Sequence, residues 1–108
     1  MSLAYKTAES SAAAMDVFLN RLETEWRNPQ EGNVEPIIIE ESPSRQARTN
    51  HLYVVWSEWT NLSPLERSKI VMQAYSKVKG PDMANDITVA MGLTPAEADK
   101  MRLDYLAA

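Results

Sequence analysis

The chain has 108 residues, 44% of them hydrophobic and 24% charged, values that suit one globular domain and argue against disorder along its whole length. It has no cysteine and one histidine. That removes disulfides, thiolate metal sites, cysteine nucleophiles and thiol redox chemistry, and leaves a zinc site or a Ser-His-Asp triad only by way of His51. No apolar run approaches the roughly 20 residues needed to span a bilayer, and the opening stretch Met1 to Lys6 lacks a basic region followed by an apolar one, so a cytoplasmic protein without a membrane partner is expected.

The net charge of −4 is unevenly spread: residues 1–42 carry −5, residues 43–80 carry +4 and residues 81–108 carry −3. The basic middle is the one charge feature that points to nucleic acid. In chain order, residues 1–10 are small and polar and are expected to be a flexible N-terminus, with a single domain over 11–108. Ser10 or Ser11 can cap a helix beginning near Ala12. Met15, Phe18, Leu22 and Trp26 follow helical spacing, with Leu19 beside them, and Asn28 to Asn33, with Pro29, end that helix. A first strand is expected over Val34 to Glu41, centred on Ile37–Ile39. Pro36 within it argues for an edge position or a late start, and an uncovered Ile37–Ile39 strand can pair across a dimer.

A polar loop with Arg45 and Arg48 covers residues 42–50. A second strand, His51 to Ser57, puts Leu52, Val54 and Trp56 on one face and Tyr53 and Val55 on the other. Both faces carry apolar surface, so the reverse side is either partly covered or a contact surface. Two helix starts are clear. Ser63-Pro64-Leu65-Glu66 gives a cap, proline at the first helical position and a glutamate that returns a bond to the cap; Thr94-Pro95-Ala96-Glu97 repeats the arrangement. The first of these helices should reach Lys79 and stop at Gly80-Pro81. A short helical turn over Asp82 to Asn85 follows, then a third strand over Ile87 to Met91 ended by Gly92. The last helix should run from Pro95 toward Leu106. The order αββα(α)βα predicts a two-layer α+β domain: a three-stranded mixed sheet with helices on one face, the first two strands a hairpin and the third parallel to one of them.

Arg67 breaks the pattern of its own helix. Ile70, Val71, Ala74, Tyr75 and Val78 form an apolar stripe, and Arg67 falls near its centre. A charge there needs a partner or an exit to water; Glu40, Glu41 and Glu58 are candidate partners. Arg67 either snorkels over Trp56 or Trp59 and completes the packing, or binds an anion or a partner beside the helix N-terminus. Lys69, Lys77 and Lys79 point in different directions on the same wheel, so a basic face would need the loop with Arg45 and Arg48 to fold back. Gly32, Gly80 and Gly92 are the only glycines, which excludes GxxG, P-loop and dinucleotide fingerprints. Glu40 and Glu41 are neighbours on a strand and face opposite ways, a poor acid/base pair. His51 reads as an exposed strand-end histidine. Trp26, Trp56 and Trp59 read as core and core margin and not as a ligand cage, although Trp59 sits at a turn where it can be exposed. No catalytic constellation emerges, so an enzyme is not expected.

The strand ending in Glu41-Ser42, the strand His51 to Ser57-Glu58, Trp59, the helix arginine Arg67, and Ile87 leading to Thr94-Pro95-Ala96-Glu97 together resemble the BolA-like proteins, which have a class II KH-like fold. The similarity covers about residues 12–99. That family often shares an iron–sulfur cluster with a monothiol glutaredoxin through a histidine before the third strand and a loop histidine or cysteine. The first position falls near Asp86 here, the loop from Ser42 to Asn50 holds neither residue, and the histidine that commonly follows the helix arginine is Ser68. The resemblance thus implies a scaffold without the cluster, and no cofactor is expected. A scaffold does not imply a function; the reading expected from the residues is a non-catalytic protein-interaction domain of this shape, with nucleic-acid binding through Arg45, Arg48, Arg67 and Lys69 as the alternative. The candidate partner- or anion-binding residues are Arg67, Arg45, Arg48, Lys69 and Trp59.

Overall fold

The computed structural model describes residues 3–32, 34–42 and 50–103, with side chains from Met15 onward within those ranges. Helix α1 spans Leu3–Arg27. It begins well before the expected start at Ala12, so Ser10 and Ser11 are helix interior and not caps. Ala4, Lys6, Ala8, Glu9 and the run Ala12–Ala14 are strong helix formers, while each serine costs only about 0.5 kcal/mol in a helix interior. Two antiparallel strands follow, β1 (Ile37–Glu41) and β2 (Asn50–Val55). β1 starts directly after Pro36 and lies at the sheet edge, the two outcomes that the missing proline N–H favours. A 3-10 turn (Ser57–Asn61) leads to α2 (Pro64–Lys79), a single turn α3 (Pro81–Ala84), strand β3 (Ile87–Leu93) and α4 (Pro95–Lys100).

The sheet order is β1-β2-β3, with β1 antiparallel and β3 parallel to the central β2, the predicted mixed sheet. α1 and α2 cover one face. There Leu22, Trp26, Leu52, Val54, Trp56, Trp59, Ile70, Val71, Ala74 and Tyr75 form the main core, and each large apolar side chain fully buried adds about 1.5–3 kcal/mol of transfer free energy. The reverse face carries a smaller cluster in which Ala98 of α4 and Leu103 pack with Tyr53, Val55 and Leu93. No helix among the described residues is long and apolar enough to cross a membrane.

Both predicted capping boxes form, Ser63 with Glu66 and Thr94 with Glu97. α2 ends at Gly80, where φ of +94° suits a residue without Cβ. The last helix is shorter than predicted. The Arg102 N–H donates to Asp99 O and the Leu103 N–H to Ala98 O, with Arg102 at φ +56°. These two bonds and the apolar contact between Leu103 and Ala98 make a Schellman termination, and residues 104–106 lie outside the described part of the chain. β3 also departs from expectation: Gly92 does not end the strand but is buried inside it. A Cβ at Gly92 would lie 2.7 Å from Arg67 Cβ and 2.8 Å from Trp59 Cε2, so close approach and not flexibility demands the glycine.

Candidate functional site

Arg67 is 5% exposed, and its head is anchored within the protein. Nε donates to Leu62 O at 2.9 Å and Trp59 O at 3.1 Å, and Nη1 to Gly92 O at 3.2 Å and Glu97 Oε1 at 2.6 Å. One side chain thereby ties the 3-10 turn, α2, β3 and α4 together. The expected partners Glu40, Glu41 and Glu58 are not used. Glu97 takes that place because its capping role already holds its carboxylate at the α4 N-terminus, where it also accepts from the Thr94 N–H at 2.8 Å. The Glu97 carboxyl is held below the usual carboxylate range, first by the Thr94 backbone N–H and, against the opposing effect of burial, by Arg67.

Trp59 is fully buried, in line with its reading as core and despite its place at a turn, so it offers no surface to a partner. Its ring stacks on Phe18, with centroids 5.1 Å apart, and its Nε1 donates to Val54 O at 3.0 Å. Lys69 is exposed on α2, and Lys77 reaches Glu23 Oε1 of α1 at 3.4 Å. Arg45 and Arg48 lie outside the described residues. The structure therefore does not gather Arg67, Lys69 and Trp59 into one surface. His51 is half-buried at the end of the reverse face, with Nδ1 3.4 Å from Tyr53 Oη and 3.7 Å from Glu41 Oε1. Burial foremost, then Glu41, raises the Tyr53 phenol above its ordinary value.

The two edges of the sheet differ. The Trp56 N–H donates to Leu93 O and the Asn50 N–H to Asp86 O, so alternate peptide groups of β2, those of even number, turn toward β3. The same alternation along β3 turns the carbonyls of Ala90 and Gly92 to its outer edge. Both are occupied: Ser68 Oγ donates to Ala90 O at 2.6 Å, and Arg67 Nη1 to Gly92 O. On the other side, odd residues of β2 face β1 in the register Val55↔Ile37, Tyr53↔Ile39, His51↔Glu41. The peptide groups of Ile38 and Glu40 then point away from the sheet, and no described strand pairs with them.

The side chains of Ile38 and Glu40 face the helix layer and line a cavity of about 400 Å³, together with Glu25 and Trp26 of α1, Pro36 and Lys79, a size within the range of ligand pockets. Trp26 Nε1 donates to Glu40 Oε1 at 3.3 Å. Glu25 is 5% exposed. Its Oε2 accepts the Gln30 N–H at 2.9 Å, while its Oε1 accepts no hydrogen bond and lies 3.3 Å from Arg21 Nη1. Sequence reasoning passed over this cavity, although Glu25 interrupts the stripe of Leu22 and Trp26 on α1 much as Arg67 interrupts that of α2.

No family model, curated protein or solved structure matches this chain. The BolA-like resemblance rests on the sequence pattern alone. At the positions that depart from that pattern, Ser68 closes the β3 edge, and the Asp86 carbonyl accepts the first bond of β2.

Proposed function

We propose that the protein is a non-catalytic interaction domain on a BolA-like scaffold, and that it recognises another protein by taking an extended segment of it along the outer edge of β1. The observation that carries this reading is the contrast between the edges: α2 side chains occupy the outward carbonyls of Ala90 and Gly92 on β3, whereas the peptide groups of Ile38 and Glu40 face outward beside a cavity. An open edge offers main-chain hydrogen bonds for affinity, and a pocket beside it offers side-chain selection.

A displayed library of short extended peptides tests the reading, with the selected peptides mapped by amide chemical shifts on labelled protein. The expected result is shifts centred on Ile37–Glu41, abolished by Glu40→Pro, which removes an outward N–H without breaking the ladder to β2. Shifts confined to α2 or β3 overturn the proposal. So does binding to DNA or RNA alone that falls steeply between about 50 and 200 mM salt, the mark of phosphate contacts; that result supports the nucleic-acid alternative.

A further inference from the structure

We infer that the recognised segment is basic, and that one of its lysine or arginine side chains seats in the cavity beside β1, its stem along Trp26 and Ile38 and its charged head at Glu40, within the field of the buried Glu25. The inference rests on docking at the β1 edge and names the chemistry of what docks there.

Register supplies the first argument. A strand added to β1 bonds to the outward peptide groups of Ile38 and Glu40, and residues directly opposite one another across a strand pair share a face. Since Ile38 and Glu40 direct their side chains to the helix side, the incoming residues bonded to them do the same. Every second side chain of the partner is thus delivered to the cavity mouth.

Charge supplies the second. Residues 34–42, which lead into and build β1, hold Glu35, Glu40 and Glu41 and no lysine or arginine. A second copy of this chain would bring the same acidic edge against itself, and an acidic or nucleic-acid partner would be repelled. The Glu25 carboxylate is the specific feature. It is nearly fully buried at the cavity wall, with Oε1 shut off from solvent 3.3 Å from Arg21 Nη1 and Oε2 holding the Gln30 N–H, so it acts on the cavity through its charge and not through a direct bond. A buried negative charge beside a cavity favours a cationic group over an apolar one. Glu40, which is exposed and whose long bond from Trp26 leaves most of its acceptor capacity free, is the anchor for the incoming head. Trp26, Pro36 and Ile38 give an apolar wall of the kind that long basic side chains lie along. Among the described residues Lys79 is the only cation on the lining, and it is exposed at the end of α2, where solvent screens it.

The test uses short acetylated Thr/Val peptides that differ at one central position: arginine, lysine, norleucine or glutamate. Affinity is read by calorimetry and location by the amides of Ile37–Glu41. One charge-assisted hydrogen bond gained corresponds to a preference of about tenfold or more for the basic peptides over norleucine, with glutamate weakest. Glu40→Gln should reduce that preference while the norleucine peptide binds as before, Glu25→Gln should reduce it further, and Lys79→Gln should increase it. Moving the basic residue by one position turns it to the reverse face and should erase the preference. Because Glu40 is exposed, its glutamine variant keeps the test decisive if Glu25→Gln fails to fold. Equal affinity of all four peptides, with shifts on β1, overturns the inference and leaves edge docking standing. No shift on β1 with any peptide overturns both.

Discussion

Replacing Arg67 with methionine keeps most of the stem and deletes the guanidinium. Four acceptors lose a donor, but not equally. Trp59 O retains the Leu62 N–H at 2.9 Å, and Glu97 retains the Thr94 N–H. The Glu97 side chain is also 44% exposed, so the ion pair itself is screened and contributes little. The loss concentrates on Leu62 O and on buried Gly92 O, each of which gives up a charged donor inside the protein. Leaving a buried acceptor unsatisfied costs about 1–3 kcal/mol, which puts the variant about 2–5 kcal/mol below the parent. At roughly 4–8 °C per kcal/mol for a domain near this size, the midpoint of thermal unfolding should fall by about 8 °C or more. Circular dichroism melts with a urea titration give both numbers. Below its melting temperature the variant should bind β1-edge peptides as the parent does, since Arg67 closes the opposite edge. A fall of less than about 4 °C, equivalent to under about 1 kcal/mol, would refute the assignment of Arg67 as the tie between these elements.

Glu97→Gln should cost less than Arg67→Met and should flatten the acid limb of the stability curve. The folded-state pKa of Glu97 is lowered, so its contribution is present above pH 4.5 and is lost as pH falls below it; acid melts of the two proteins check this. Gly92→Ala drives a methyl group against Trp59 and Arg67 at under 3.0 Å and should destabilise by about 1–3 kcal/mol, the usual cost of overpacking, read from the same urea curves. Arg102 holds φ +56° where glycine is at ease, and Arg102→Gly should be neutral or stabilise by up to about 1 kcal/mol. The Tyr75 hydroxyl is buried without a hydrogen-bond partner, so Tyr75→Phe should match or exceed the parent by up to about 1 kcal/mol. Burial foremost raises the Tyr75 pKa above 10.0. The parent should therefore lose stability as pH climbs past 10, and the phenylalanine variant should lose less.

The starts of α2 and α4 were legible because a capping box is local chemistry: four consecutive residues decide it, and both Ser63–Glu66 and Thr94–Glu97 form as read, whereas α1, without such a box, begins nine residues before its expected start. The mixed sheet was legible because strand alternation and a helical crossover leave few topologies. Arg67 was legible as an anomaly but not in its solution, since its partner lies thirty residues away and already had a local role as a capping glutamate. Trp59 was legible as core from its bulk, but its place at a turn left exposure open, and the close approach of Gly92 and Phe18 is what encloses its ring. The cavity needs α1, the connection to β1 and the end of α2 to come together, a juxtaposition that no single periodicity contains.

The unequal edges of the sheet also set a stoichiometry. Sheets polymerise when each subunit offers one free edge and accepts another, so that every addition exposes a new template. Here α2 side chains occupy the outward carbonyls of Ala90 and Gly92 at one of the two edges. If a segment docks on β1 as proposed, it would be the last strand of the assembly on that side, and α2 would hinder another at β3. The domain would then gain one strand and stop, without an edge rich in isoleucine seeding a fibre.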